Sequence, residues 1–153
     1  MMPSFHIAQL NIARAVAPLD SPVMVEFMAA LDEINALADS APGFVWRLKG
    51  DDGNATSYRP FADPNLLVNL SVWQSVEGLK VYAYQSRHVA FVRRRQEWFE
   101  SMDQPYLVLW WLQAGHTPTI EQAKVRLAYL TEHGPTRYAF NFQKLFEAAE
   151  VAR

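Results

Sequence analysis

Residues Leu66-Leu-Val-Asn-Leu-Ser-Val-Trp73 restrict the fold more than any other part of this chain. Side chains alternate across a strand, so one face carries Leu66, Val68, Leu70 and Val72 and the other Leu67, Asn69, Ser71 and Trp73. The first face is wholly apolar. The second aligns three groups able to hydrogen-bond.

Three further segments carry strand signals. Phe5 to Arg14 alternates in part, with Ala8, Leu10 and Ile12 between more polar positions and Gln9 and Asn11 sharing a face. Phe44 to Lys49 sets Phe44, Trp46 and Leu48 against Val45, Arg47 and Lys49. Tyr106 to Leu112 is almost continuously apolar, which suits a central strand or a buried dimer contact.

Helical periodicity fills the intervals. Between Val23 and about Ser40, Val23, Phe27, Ala30, Leu31, Ile34 and Ala38 recur at steps of three and four, after a Ser21-Pro22 start signal. Ser75 can cap a second helical stretch, Val76 to Glu100, with a bend or break expected near Ser86-Arg87-His88. Thr119 and Gln122 have the spacing of a capping box for a helix reaching His133, where Gly134-Pro135 stops it. Tyr138 to Phe142 could add a short edge strand, followed by a helical or frayed end from Lys144. Gly50 to Pro64 is crowded with turn formers and reads as a long connection.

The order strand, helix, strand, strand, helix, strand predicts an α+β fold with a ferredoxin-like antiparallel sheet, the split βαβ pattern, and helices on one face. A length of 153 residues, half of them hydrophobic and a fifth charged, fits one domain spanning 1–153. Its sheet core is expected at about 5–115 and a helical extension at about 117–153. The opposite face would stay open in a monomer. With Trp73 and either Trp110 or Trp111 on that face, dimerisation is the expected way to cover it.

Composition removes several function classes. Zero cysteines exclude disulfides, thiolate metal sites and a cysteine nucleophile, and they suit a reducing, cytoplasmic setting. A net charge of −2 gives no general pull toward nucleic acid or an anionic membrane. Arg93-Arg94-Arg95 is followed by Glu97 and Glu100 and reads as an ion-paired helix face. No apolar run approaches the roughly 20 residues that span a bilayer, and no export signal opens the chain. His6, His88, His116 and His133 form no metal-ligand spacing with one another, and no phosphate-binding glycine loop or serine elbow is present.

Five segments carry a resemblance: Asp20-Ser-Pro-Val23, Pro42 to Arg47, Val68 to Trp73, Arg93 to Glu100, and Trp110-Trp111 through Ala114-Gly-His-Thr-Pro118. From Ile7 to about Phe142 the chain resembles an uncharacterised bacterial family, domain-of-unknown-function group 3291, in the dimeric α/β-barrel superfamily. The resemblance implies a homodimeric barrel, distantly similar to antibiotic-biosynthesis and haem-degrading monooxygenases. It also implies a site. Asn11, Trp73 and His88 match in type and element placement the Asn, Trp and His set of the haem-degrading relatives, although the stretch between Trp73 and His88 is longer here.

As side-chain chemistry, Asn11 can hydrogen-bond an oxygen species or carbonyl, Trp73 offers a flat wall, and His88 can move a proton or ligate iron. Arg47, Asn69 and Ser71 are candidates for a polar floor, with Arg47 able to grip a carboxylate, and Trp111 for a cleft wall. The expectation is a monooxygenase-like enzyme on a small aromatic or polycyclic molecule, working without a cofactor or with haem. The rival expectations are a non-catalytic small-molecule binding or sensing module and a purely structural dimer, in which the same residues serve packing.

Overall fold

Alternating segments form four strands: β1 (Phe5–Arg14), β2 (Phe44–Arg47), β3 (Leu66–Trp73) and β4 (Leu107–Gln113). The helices are α1 (Val25–Asp39), α2 (Val76–Gln85), α3 (Arg95–Trp98) and α4 (Ile120–His133). The computed structural model describes residues 4–49, 61–63, 65–85, 95–102 and 104–148. Most of the Gly50 to Pro64 connection, the expected break at residues 86–88 and the chain end from residue 149 lie outside them.

The strands lie in the order β2-β3-β1-β4 and every pairing is antiparallel. With α1 between β1 and β2 and α2 between β3 and β4, this is the ferredoxin-like arrangement. The fold class is α+β.

Local signals explain where the helices start. Thr119 accepts from the Gln122 backbone N–H at 3.1 Å while the Gln122 side chain accepts from the Thr119 N–H at 3.0 Å, a complete capping box for α4. Ser75 Oγ accepts from the Gly78 N–H at 3.1 Å and so caps α2. At α1 the serine acts differently. Ser21 is extended, as a cap should be, but its hydroxyl turns back to the Pro18 carbonyl, and a short 3₁₀ turn, Pro22–Met24, leads into the helix.

The face carrying Ile7, Trp73 and Leu109 packs against α1 and α2 through Ala38, Val76 and Leu79. On the opposite face Ala8, Leu10, Val68, Leu70, Val72, Val108 and Trp110 pack against Ala123, Leu127 and Leu130 of α4. This corrects two expectations. Trp73 lies on the helix-covered face, and the other face is not open, because α4 and its neighbours leave Trp110 2% exposed. The extension supplies the cover that a partner was expected to supply. Burial of an aromatic or branched side chain contributes roughly 1.5–3 kcal/mol, so the chain has strong reason to close this face on itself.

β2 departs from the simple alternation. Phe44 pairs with Trp73 but Trp46 with Val72, so two steps on β2 oppose one on β3. This bulge sends Phe44 and Trp46 to opposite faces, although their spacing predicts the same one. Arg47, paired with Ser71, therefore joins Phe44 on the α1/α2 side.

After α4 the chain rounds the free edge of β4. Tyr138 to Phe142 forms no strand, only isolated bridges, one from Asn141 to Lys144 and one at Phe140, whose N–H and C=O bond Leu109 at 2.9 and 2.7 Å. Phe140, Phe142 and Phe146 then pack on the α1/α2 side of the sheet. Residues 145–147 are not helical.

Candidate functional site

The register of β1 on β3 lines up the polar residues of both strands. Gln9 lies opposite Ser71 and Asn11 opposite Asn69, all on the face beneath α1 and α2. Alternation then brings Trp73 to the same face, beside Ile7.

Above this row the helices leave a cavity of about 270 Å³. Its floor includes Gln9, Asn11, Asn69, Ser71 and Trp73, and Arg47 joins from β2. The α1 wall is Phe27, Leu31, Ile34, Asn35 and Ala38, and the α2 wall is Leu79, Tyr82 and Ala83. Trp98, Phe99, Tyr106, Leu107 and Phe142 complete an enclosure that is mostly apolar and aromatic. That mixture of apolar walls and a few polar groups is typical of small-molecule sites.

The floor is internally bonded. Gln9 and Ser71 are buried, and Gln9 Nε2 donates to Ser71 Oγ at 2.7 Å and to Asn69 Oδ1 at 2.5 Å. The Trp73 indole N–H donates to the same Ser71 oxygen at 2.9 Å. An indole nitrogen can only donate, so Trp73 has committed its polar group and offers the cavity a ring alone. That ring stacks on Tyr82, with centroids 5.2 Å apart and planes at 29°, and meets Phe44 edge-on at 5.4 Å. Asn11 and Asn69 are exposed on the cavity wall, and the Asn11 carboxamide has no side-chain partner among the described residues.

Charges at the site are tied down. Arg47 Nε and Nη2 lie 2.7 and 3.2 Å from the two carboxylate oxygens of Asp39, a bidentate pair joining β2 to the last residue of α1. The grip expected for a substrate carboxylate is taken by the protein. Tyr82 donates its hydroxyl to the Ile34 carbonyl at 3.2 Å, and burial pushes the phenol up to about 12. Tyr82 is therefore neutral at ordinary pH.

Of the expected site residues, Asn11, Arg47, Asn69, Ser71 and Trp73 share this cavity. Trp111 does not line it. Its indole N–H donates to the Phe146 carbonyl at 2.7 Å, and its ring packs with the chain end. His88 lies outside the described residues.

Gln9, Asn35 and Tyr82 join the site without being expected there. The alternation of Gln9 with Asn11 is the signal that could have found it. Asn35 interrupts the apolar stripe, four residues after Leu31 and three before Ala38, and that polar break is the signal that could have drawn attention to it.

Among the described residues no three His, Asp or Glu side chains group as a metal site. Haem would need an axial ligand, and none of the described histidines, His6, His116 or His133, lines the cavity. The described histidines do not supply one.

Fold and cavity together define a ferredoxin-like α+β protein with a cavity between its sheet and its first two helices. Residues 6–153 match the family described as Domain of unknown function (DUF3291), and the chain belongs to that family. No curated protein matches the sequence.

Among solved structures the chain is similar to SnoaB, a cofactor-independent oxygenase from Streptomyces nogalater. The identity is 18% over 74% of this chain and 97% of that one, with a TM-score of 0.44. It is also similar to the ActVA-Orf6 monooxygenase of Streptomyces coelicolor, solved with nanaomycin D, at 14% identity over 76% and 92% of the two chains and a TM-score of 0.40. MupZ from Pseudomonas fluorescens, at 14% identity and a TM-score of 0.41, covers 99% of this chain and 94% of its own. No described helix is long and apolar enough to cross a membrane.

Proposed function

We propose that this protein is a monooxygenase-like enzyme that acts on a small aromatic or polycyclic molecule in the cavity beneath α1 and α2. The observation that carries this reading is the convergence of Asn11, Asn69, Ser71 and Trp73 on one cavity walled by aromatic and aliphatic side chains. A flat ring packs against that apolar wall, beside the stacked Trp73 and Tyr82. Its oxygen substituent is hydrogen-bonded by Asn11 and Asn69, which stabilise the anion formed when the ring loses a proton.

The electron-rich anion reacts with dioxygen directly. At an activated CH₂ carbon, one oxygen atom forms the new C=O, and the other leaves as water with the two hydrogens the carbon gives up. The substrate supplies all the electrons, so neither an added reductant nor haem is needed. His88, which lies outside the described residues, is the proton acceptor in this reading, because an imidazole can take up a proton near neutral pH.

The reading places the protein in the cytoplasm, consistent with its lack of cysteine. It also includes a homodimer. α4 covers the sheet face, so in this reading the dimer uses other surface or exchanges α4 between protomers.

Oxygen uptake with hydroxylated tricyclic ketones carrying an activated CH₂ group tests the reaction, and ¹⁸O₂ should label the new carbonyl. Asn11→Ala and His88→Ala should each lower the rate by about tenfold or more. A panel that stabilises the protein thermally but gives no oxygen uptake sinks the enzyme reading. It would support the second one, a binding or sensing module that uses the same cavity.

A further inference from the structure

We infer that Gln9 sets the hydrogen-bonding polarity of the cavity: by donating to Asn69 Oδ1 it turns the Asn69 amide nitrogen toward the ligand, so the site receives a ligand oxygen that accepts. The inference rests on the reading of the cavity as a small-molecule site and names the chemistry of one of its contacts.

An amide nitrogen carries two hydrogens. Those of Gln9 meet two acceptors, Asn69 Oδ1 and Ser71 Oγ, so the group is used completely. Ser71 Oγ also accepts from the Trp73 N–H. Both its lone pairs are then filled, and the direction of the chain of bonds is set from Trp73 and Gln9 inward.

With its oxygen held by Gln9, Asn69 has only its NH₂ left to offer, and that group has no other partner among the described residues. Asn11 stands directly across the strand pair from Asn69. Opposed residues of an antiparallel pair hold their Cβ atoms about 5 Å apart, so both carboxamides can reach one ligand oxygen. Gln9 belongs to the floor of the cavity and acts on the ligand through the orientation it gives Asn69. It is a positioning residue, buried where a ligand could not exchange its bonds for water.

Reversed amides make a different prediction. If Gln9 presented its oxygen to Ser71 and Asn69, then Asn69 would donate to Gln9 and show its own oxygen to the ligand. A glutamate at position 9 can only accept when ionised, so it imposes that reversed state. Gln9→Glu therefore separates the two polarities.

The probe is 7-hydroxycoumarin, a flat bicyclic phenol whose anion fluoresces. Binding to the wild-type protein should lower the apparent pKa of the dye, because the two amide groups donate to its phenolate. Gln9→Glu at pH 8 should weaken binding at least about tenfold and abolish the dye shift. Asn69→Asp, which keeps an acceptor for Gln9 at an exposed position, should do the same, and it serves if Gln9→Glu is shown unfolded by circular dichroism. Retained affinity and dye shift in Gln9→Glu, or in Asn69→Asp, would overturn the inference while leaving the pocket intact. Failure of the wild-type protein to bind the dye or related flat phenols would overturn the pocket reading and this inference together.

Discussion

Arg47 and Asp39 face each other across the rim of the cavity as a two-pronged ion pair, with N···O distances of 2.7 and 3.2 Å. Arg47 has a side chain 12% exposed against 46% for Asp39, so the pair is half in water and its net stabilisation is about 0.5–1 kcal/mol. Asp39 ends α1, where the helix dipole disfavours a carboxylate, and Arg47 offsets that cost. Asp39→Asn should therefore lower stability only slightly. It should also raise the affinity for an aromatic carboxylate such as 2-naphthoate by about tenfold, because the guanidinium loses its internal carboxylate; calorimetric titration checks this.

Tyr82 should give the protein an alkaline limit. Burial raises its phenol from 10.0 to about 12 in the folded chain, so between those values the unfolded state releases a proton that the folded state keeps. Stability from this residue is complete below pH 10 and falls as pH climbs toward 12, by about 2–3 kcal/mol in all. Urea denaturation across pH 9–11.5 should show the decline. Tyr82→Phe should flatten it, and absorbance at 295 nm should lose a tyrosine that titrates above the ordinary phenol range.

α4 should behave as part of the core. Leu127 is 6% exposed and packs on the sheet face that holds Trp110. Leu127→Ala should cost about 2–4 kcal/mol in denaturant unfolding. Leu127→Asp should uncover the face and increase self-association in sedimentation velocity. An unchanged sedimentation profile with unchanged stability would mean that α4 does not seal the sheet.

The capping box at Thr119 gives a smaller and cleaner effect. Thr119→Ala removes the acceptor for the Gln122 N–H and should cost about 1 kcal/mol, lowering Tm by about 2–4 °C. The cavity is lined from other elements, so ligand-induced stabilisation should be preserved.

Much of the site is legible in the sequence alone. Asn69, Ser71 and Trp73 alternate in one segment, and strand geometry alone puts them on one face. Asn11 and Gln9 alternate in another, and only the β1–β3 register brings the two rows together. For Arg47 alternation is an incomplete reason: the bulge in β2 decides which face it occupies, and nothing local in Phe44 to Lys49 announces it. Its partner Asp39 is eight residues earlier, across a turn, and that pairing changes Arg47 from a substrate ligand into a structural tie. Trp111 escapes a local reading because its partner, the Phe146 carbonyl, comes from a chain end whose return over β4 carries no periodic signal.

By itself the sequence determined the elements and their order, hence the ferredoxin-like sheet, because alternation, helical periodicity and caps are local properties of short segments. It also determined the capping of α2 and α4, for the same reason. Tertiary structure alone decided which sheet face lies beneath which helices, that α4 closes the face expected to await a partner, and that a cavity remains over the polar row. Those outcomes depend on how surfaces far apart in the chain exclude water from one another, and no spacing within a segment encodes that.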